Sequence, residues 1–420
     1  MPEVVSSLAA LDLARYVRAG DTVLWGQACA EPVALTAALM EQRARIGRFR
    51  CFLGVPASDT VTAAHSDQIS FLSYTGSGGN AALHHAGALD VLPVHYSHLP
   101  ALIRNRTIAI DVVLLLLAPP DASGRYSLGL AEDYLPAALD AARVVIAEVN
   151  DQVPETRCGR VLTDADLHVI VRTSRPPLEV PRPQPGPVEQ AIAARVAGLI
   201  EDGATLQIGI GRLPEAVMRQ LGGRRDLGVH SGLLNDAVAD LMEAGAITNA
   251  RKSLDRGRAV AGFLYGSRRL FAYAHRNPAI ELRETEYTHH PEVLAAQERL
   301  VALNTALEVD LSGQINAEVA GGRYLGAVGG AVDFLRGAAR SHGGLPIVAL
   351  PAARIVARLT GPVSTARSDA GIVVTEFGIA DLRGQPLRER AARLIAIAPP
   401  ERRAALAAPG IQAPGEYIRG

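Results

Sequence analysis

Three glycine-rich segments of this 420-residue chain could bring backbone close to a bound molecule. The first is Gln207-Ile208-Gly209-Ile210-Gly211-Arg212-Leu213-Pro214, between an apolar stretch and an amphipathic one. Glycines allow close approach, and the unpaired N–H groups of a helix N-terminus favour an anion or an oxyanion. The segment lacks the third glycine of a dinucleotide fingerprint and the Gly-Lys-Ser/Thr of a phosphate loop. A plain tight turn would use the same residues. The second segment runs from Gly321 to Phe334 and includes Gly326, Gly329 and Gly330 just ahead of a predicted helix. The third is Thr75-Gly-Ser-Gly-Gly-Asn80. Three such loops in one α/β chain point to a ligand-binding crevice.

Between the first two segments lies His230-Ser231-Gly232-Leu-Leu-Asn235-Asp236. His230 qualifies as a general base because an unperturbed imidazole titrates near neutrality. It could equally be a hydrogen-bonded core histidine. Asn235 or Asp236 could cap the following helix. The pairs His84-His85, His95-x-x-His98 and His289-His290 have no carboxylate or cysteine at ligand spacing, so no metal site is expected. Ser/His/Asp catalysis is not expected either, since the chain has no Gly-x-Ser-x-Gly elbow. Trp25, Tyr74, Tyr96 and Tyr265 could line a pocket, and core packing would account for each as well.

The elements that would position these residues alternate. Thr22–Trp25, Val112–Leu117, Val144–Ala147, Thr205–Ile208, Pro346–Leu350 and Ile372–Val374 read as buried strands. Pro32–Arg43, Glu189–Glu201, Pro214–Leu221, Asn235–Ala244 and Val332–Arg340 read as helices. Short apolar runs alternating with amphipathic stretches predict an α/β fold with a parallel sheet covered on both faces. Six prolines in Ser174–Pro187 predict a stiff linker. The expected domains are therefore 1–173 and 188–420, joined by 174–187.

The two halves look related. Gly20-Asp-Thr-Val-Leu-Trp-Gly26 precedes Glu31-Pro32 and a helix, and Gly203-Ala-Thr-Leu-Gln-Ile-Gly209 precedes Pro214-Glu215 and a helix. An internal duplication of one α/β domain, each copy preceded by an amphipathic helix, would explain this repeat, as would chance similarity of two strand-loop-helix units.

Composition excludes several classes. The net charge of −1 leaves no electrostatic footprint for nucleic acid or an anionic membrane. Lys252 is the one lysine among 42 basic residues, which reads as a bias of genome base composition rather than an arginine-based function. Three cysteines without a CxxC predict neither a disulfide framework nor a zinc site. The N-terminus shows no signal-peptide pattern, so a cytoplasmic location is expected.

Taken in order, these segments resemble the acetyl-CoA hydrolase/transferase family, the single-chain class I CoA-transferases. The likeness includes Gly78-Gly-Asn80 with Leu92-Pro-Val94, the Gln207–Pro214 segment, and Gly228-Val-His230 with Asp240–Gly245. It continues through Glu308–Gln314, Gly329-Gly330 with Asp333-Phe334, and Val374–Gly384, the most specific stretch. The resemblance implies two similar CoA-transferase-type (NagB/RpiA-like) α/β domains with an active-site cleft between them. It further implies a homodimer or higher oligomer, and a coenzyme A thioester as substrate with no permanently bound cofactor.

In that family a glutamate after the His-Ser/Thr pair attacks the thioester and carries CoA. Here Gly232 follows His230-Ser231. The loops that would approach CoA are present: Gly209, Ile210, Gly211, Arg212 and Leu213, then Gly326, Gly329 and Gly330, with Gly232 leaving room beside them. Backbone N–H groups would stabilise the oxyanion, and His230, Glu318 or Glu31 would supply the base. Three readings follow. The first is an acyl-CoA hydrolase, or an acyl/CoA transferase with a carboxylate or other acceptor that works without a glutamyl-CoA intermediate. The second is an inactive acyl-CoA-binding or regulatory protein. The third, sugar-phosphate isomerase-like chemistry on a related fold, conflicts with the C-terminal likeness.

Overall fold

The structure, a computed structural model, describes residues 1–408. Its backbone forms two compact units. One comprises Met1–Arg182, Gly232–Asp236 and Ala259–Thr288; the other comprises Pro183–Ser231, Ala237–Arg258 and His289 onward. The change at Arg182 falls inside the proline-rich stretch. Chain order and packing part company beyond it, because local strand pairing holds two later segments in the first unit. Leu233–Leu234 pairs with Phe263–Leu264, and Ala259–Ala261 pairs with Ile280–Leu282, which in turn pairs with Arg157–Cys158. Residues 409–420, the end of the expected second domain, lie outside the described residues.

The first unit holds an eight-stranded sheet in which every neighbouring pair is parallel. Thr22–Trp25 sits between Phe49–Leu53 and Val112–Leu117. From Thr22–Trp25 the chain builds outward through Phe49–Leu53, Ile69–Ser73 and Leu89–Val91, then crosses back to Val112–Leu117 on the other side. All six residues of Val112–Leu117 are buried, as a strand covered on both faces requires. Val23, Leu35, Leu39, Cys51 and Ile146 belong to the core around it.

The second unit repeats the plan on a six-stranded sheet. Thr205–Gln207 lies between Gly228–Val229 and Leu300–Thr305, and only the edge pair Ile372–Thr375 with Gly378–Asp381 is antiparallel. In both units the strand order reverses beside the repeated strand-turn-helix. In open α/β sheets, ligands bind outside the carboxyl ends of the strands at such a switch point. The turns after Trp25 and after Gln207 occupy these places.

The expected strands are present with small shifts; Val144 runs on to Asn150, and Pro346–Leu350 is Leu345–Ala349. The five expected helices are also present, as Val33–Ile46, Pro187–Leu199, Arg212–Gln220, Asp236–Glu243 and Ala331–Arg340. The repeat is imperfect at its start. Pro187–Leu199 precedes Gly203, but only two short 3-10 turns, Leu8–Ala10 and Leu13–Arg15, precede Gly20. Among the described residues, no helix is long and apolar enough to cross a membrane.

Candidate functional site

In the second unit, the strand end at Val229 runs alongside the strand end at Leu206. His230 N–H donates to Leu206 O at 3.0 Å. Ile208 N–H donates to Ser231 Oγ, and that hydroxyl donates back to Ile208 O, both at 3.2 Å. These reciprocal bonds clamp the His230-Ser231 pair to the first residue of the glycine-rich turn. Asn304 Nδ2 donates to Gln207 Oε1 at 3.1 Å, closing the other side of the switch point.

Beyond the clamp, Gly209 and Gly211 are half-buried, Ile210 and Arg212 are exposed, and Leu213 is buried. Gly211 caps the helix Arg212–Gln220 at φ 120°, a left-handed backbone suited to glycine. The helix starts two residues earlier than Pro214 implies. Proline in the first turn is tolerated because the N–H groups there lack intrahelical acceptors.

His230 is wholly buried. Gln297 Nε2 lies 3.4 Å from its Nδ1. Burial, with His230 beside it, pulls the His289 imidazole down to about 3. His289 packs on Phe334, ring centroids 4.7 Å apart. A Cβ on Gly330 would stand 2.7 Å from His289 Nε2, so packing within the protein accounts for that glycine. Gly326 is similar: its Cβ would stand 2.0 Å from Ala317 O. Gly329 differs. It has φ 55°, and its nearest neighbour would be Ala327 Cβ at 3.7 Å.

Glu318 is buried with both oxygens taken. Ser364 Oγ donates to Oε1 at 2.7 Å and the Tyr324 hydroxyl donates to Oε2. Glu31, in the first unit, accepts from Thr36 Oγ1 and Ser58 Oγ, each at 2.7 Å. Such pairs are the hydrogen bonding expected of satisfied structural carboxylates. A thiolate nucleophile is disfavoured throughout, because burial raises Cys29 to about 12, Cys158 to about 11 and Cys51 well above the usual thiol range.

The first unit's switch point holds a network that sequence reasoning missed. Gln27 Nε2 donates to Tyr96 OH at 2.7 Å and to Asp133 Oδ2 at 2.8 Å. Its Oε1 accepts from Tyr74 OH at 2.6 Å and Val55 N–H at 3.1 Å. Tyr74, Tyr96 and Tyr134 stack edge-on around it. Gln27, Glu31, Gly54, Ser58 and Asn80 line a small pocket beside it. Burial pushes the Asp133 carboxyl up to about 7. Asp133 also has φ 32°, a strained backbone for a non-glycine residue. Asp133 N–H donates to Gly262 O, and Gly262 N–H donates to Gly232 O at 3.0 Å. The Gly232 carbonyl is thus one residue removed from the network. The available signals were Gln27 directly after Gly26 of the repeat and an acidic pair, Glu132-Asp133, embedded in apolar sequence.

Fold and site define an α/β protein of the CoA-transferase type, with parallel sheets and two domains. RipA from Yersinia pestis superposes with a TM-score of 0.89 at 32% identity, over 96% of each chain. A 4-hydroxybutyrate CoA-transferase from Porphyromonas gingivalis superposes at 0.80 and 33%, again over 96% of each. The chain is 39% identical to 4-hydroxybutyrate coenzyme A transferase of Clostridium kluyveri over 76% of this chain and 77% of that one. Residues 7–171 match the acetyl-CoA hydrolase/transferase N-terminal domain, and 266–409 match the C-terminal domain. The chain belongs to the acetyl-CoA hydrolase/transferase family.

Proposed function

We propose that this protein acts on a coenzyme A thioester, by hydrolysis or by acyl/CoA transfer to a carboxylate, without a glutamyl-CoA intermediate. The observation that carries the reading is the clamp of His230-Ser231 onto Ile208, followed by Gly232 where the family resemblance calls for glutamate. The turn Gly209–Leu213 would present backbone N–H groups to the thioester oxygen as it gains negative charge, a contribution of a few kcal/mol in comparable sites. In hydrolysis, water adds to the carbonyl carbon, the C–S bond breaks, and CoA thiol and a carboxylic acid leave. In transfer, an acceptor carboxylate adds in place of water and the C–S bond breaks to give a mixed anhydride and CoA thiolate; the thiolate then attacks the acceptor's carbonyl, forming the new thioester and releasing the donor carboxylate.

His230, buried and paired with Gln297, and Glu318 and Glu31, each held by two hydroxyls, suit positioning better than proton transfer. Gly209, Gly211 and Gly329, where a Cβ would meet nothing closer than 3.7 Å, would leave room for the ligand, and Gly232 carries no side chain at the position of the family's glutamate. The same reading includes a CoA thioester as passing substrate with no resident cofactor, a homo-oligomer, and a cytoplasmic location.

The test follows thiol release from acetyl-, butyryl-, succinyl- and benzoyl-CoA with and without acetate. Release without acceptor assigns hydrolysis, and acetate-dependent exchange assigns transfer. Borohydride trapping should give no adduct at residue 232. Absence of turnover with tight thioester binding would establish the inactive, acyl-CoA-binding alternative that Gly232 also permits.

A further inference from the structure

We propose that Lys252 is a positioning residue for the thioester site, acting through the carbonyl of Val229; the inference rests on the function proposed above. The chain uses arginine at every basic position but this one. Against that bias one lysine remains, and it sits in a closed slot of the fold. It is 1% exposed. Its Nζ donates to Val229 O and to Arg258 O, both at 2.8 Å. Its stem lies across Gly228, where a Cβ would stand 2.4 Å from Cγ and 3.0 Å from Cδ. Glycine at 228 makes the slot and lysine fills it. A buried ammonium is tolerated when its protons find acceptors. The compact tetrahedral head reaches two carbonyls here, which the broader planar guanidinium does not match.

Val229 is the residue before His230. Its N–H is held by Asn249 Oδ1 at 2.9 Å and its carbonyl by Lys252, so its peptide groups are fixed on both sides. His230 N–H then meets Leu206 O, and Ser231 meets Ile208 at the start of the glycine-rich turn. Buried at 1% exposure, the ammonium has almost no surface to offer a substrate. It fixes the origin of the clamp that aligns the turn's N–H donors, where small displacements are expensive in rate.

Because the chain has one lysine, lysine-selective 15N labelling gives a single side-chain ammonium signal. In the wild-type protein that signal should shift when acetyl-CoA is added to saturation. An unmoved signal at saturation, with binding verified by calorimetry, overturns the proposal. Lys252→Met and Lys252→Arg should each lower kcat for thioester turnover by at least about tenfold while the Kd for acetyl-CoA changes less than about threefold, the split expected of lost positioning. Amide hydrogens of residues 229–231 should exchange faster in both variants. Lys252→Arg with wild-type kcat and wild-type exchange would also overturn the proposal. If the wild-type protein neither binds nor turns over any thioester, the functional reading fails, and amide exchange in the variants still decides whether Lys252 anchors the turn.

Discussion

The imidazole of His289 rests on the backbone of Gly330, so closely that a Cβ there would stand 2.7 Å from Nε2 and 2.9 Å from Cδ2. Gly330→Ala should therefore cost about 1–3 kcal/mol, the usual range for overpacking a closed core. Urea unfolding at pH 7 measures it, and an unchanged midpoint would show that the ring has room to move.

His289 also sets an acid limb of stability. Its folded value near 3 lies below the ordinary imidazole value of 6.5. The unfolded chain binds the proton first, so this stabilisation is complete above pH 6.5 and declines as pH falls toward 3. The slope is at most about 1.4 kcal/mol per pH unit. His289→Gln should lose that slope in urea unfolding between pH 4 and 6.5.

Asp133 has the opposite sign. Its folded value near 7 lies above the usual 3.8, so the folded state holds the proton longer. Stability from this group is full below pH 4 and declines as pH rises toward 7, again by at most about 1.4 kcal/mol per unit. In the wild-type protein the two groups offset each other over much of this window. Asp133→Asn keeps an acceptor for Gln27 and should make stability rise more steeply from pH 4 to 7 than in the wild type. An identical pH profile would mean that Asp133 is ionised in the fold.

Glu318 separates a structural carboxylate from a catalytic one. With Ser364 and Tyr324 on its two oxygens, Glu318→Gln should lower stability by about 1–3 kcal/mol through mismatched buried hydrogen bonds. Thioester turnover should change by less than about tenfold, since general acid–base catalysis contributes roughly 10²–10⁴-fold. A loss above a hundredfold in a folded variant would make Glu318 the base.

Gly232→Glu tests the position itself. If residue 232 stands where a family carboxylate would meet the acyl group, the variant should gain acetate-dependent CoA exchange. It should also form a borohydride-trappable adduct on residue 232 during turnover with acetyl-CoA. No exchange and no adduct would remove the support for that placement.

The strands and helices read from the sequence follow from local pattern, whereas Phe49–Leu53, Ile69–Ser73, Val169–Thr173 and Leu300–Thr305, strands of the same two sheets, were not read there. Val112–Leu117, a short continuous apolar run, reads as a strand buried on both faces, and glycine before and after Thr205–Gln207 marks where it starts and ends. The order of the segments sufficed to suggest the family, and Gly232 was conspicuous as a departure from it. Which carboxylates are occupied was not legible, because Glu31 and Glu318 meet hydroxyls from residues that only the folded chain brings near, Ser58 and Ser364 among them. Nor was the network around Gln27, whose partners Tyr74, Tyr96 and Asp133 are separated from it by 47, 69 and 106 positions. Lys252 shows the difference most plainly. The sequence marked it as the one lysine, but the reason became visible only when Gly228 and the Val229 carbonyl were seen against it. Local periodicity records which face of an element is apolar; it holds no information about which distant donor will reach a buried acceptor.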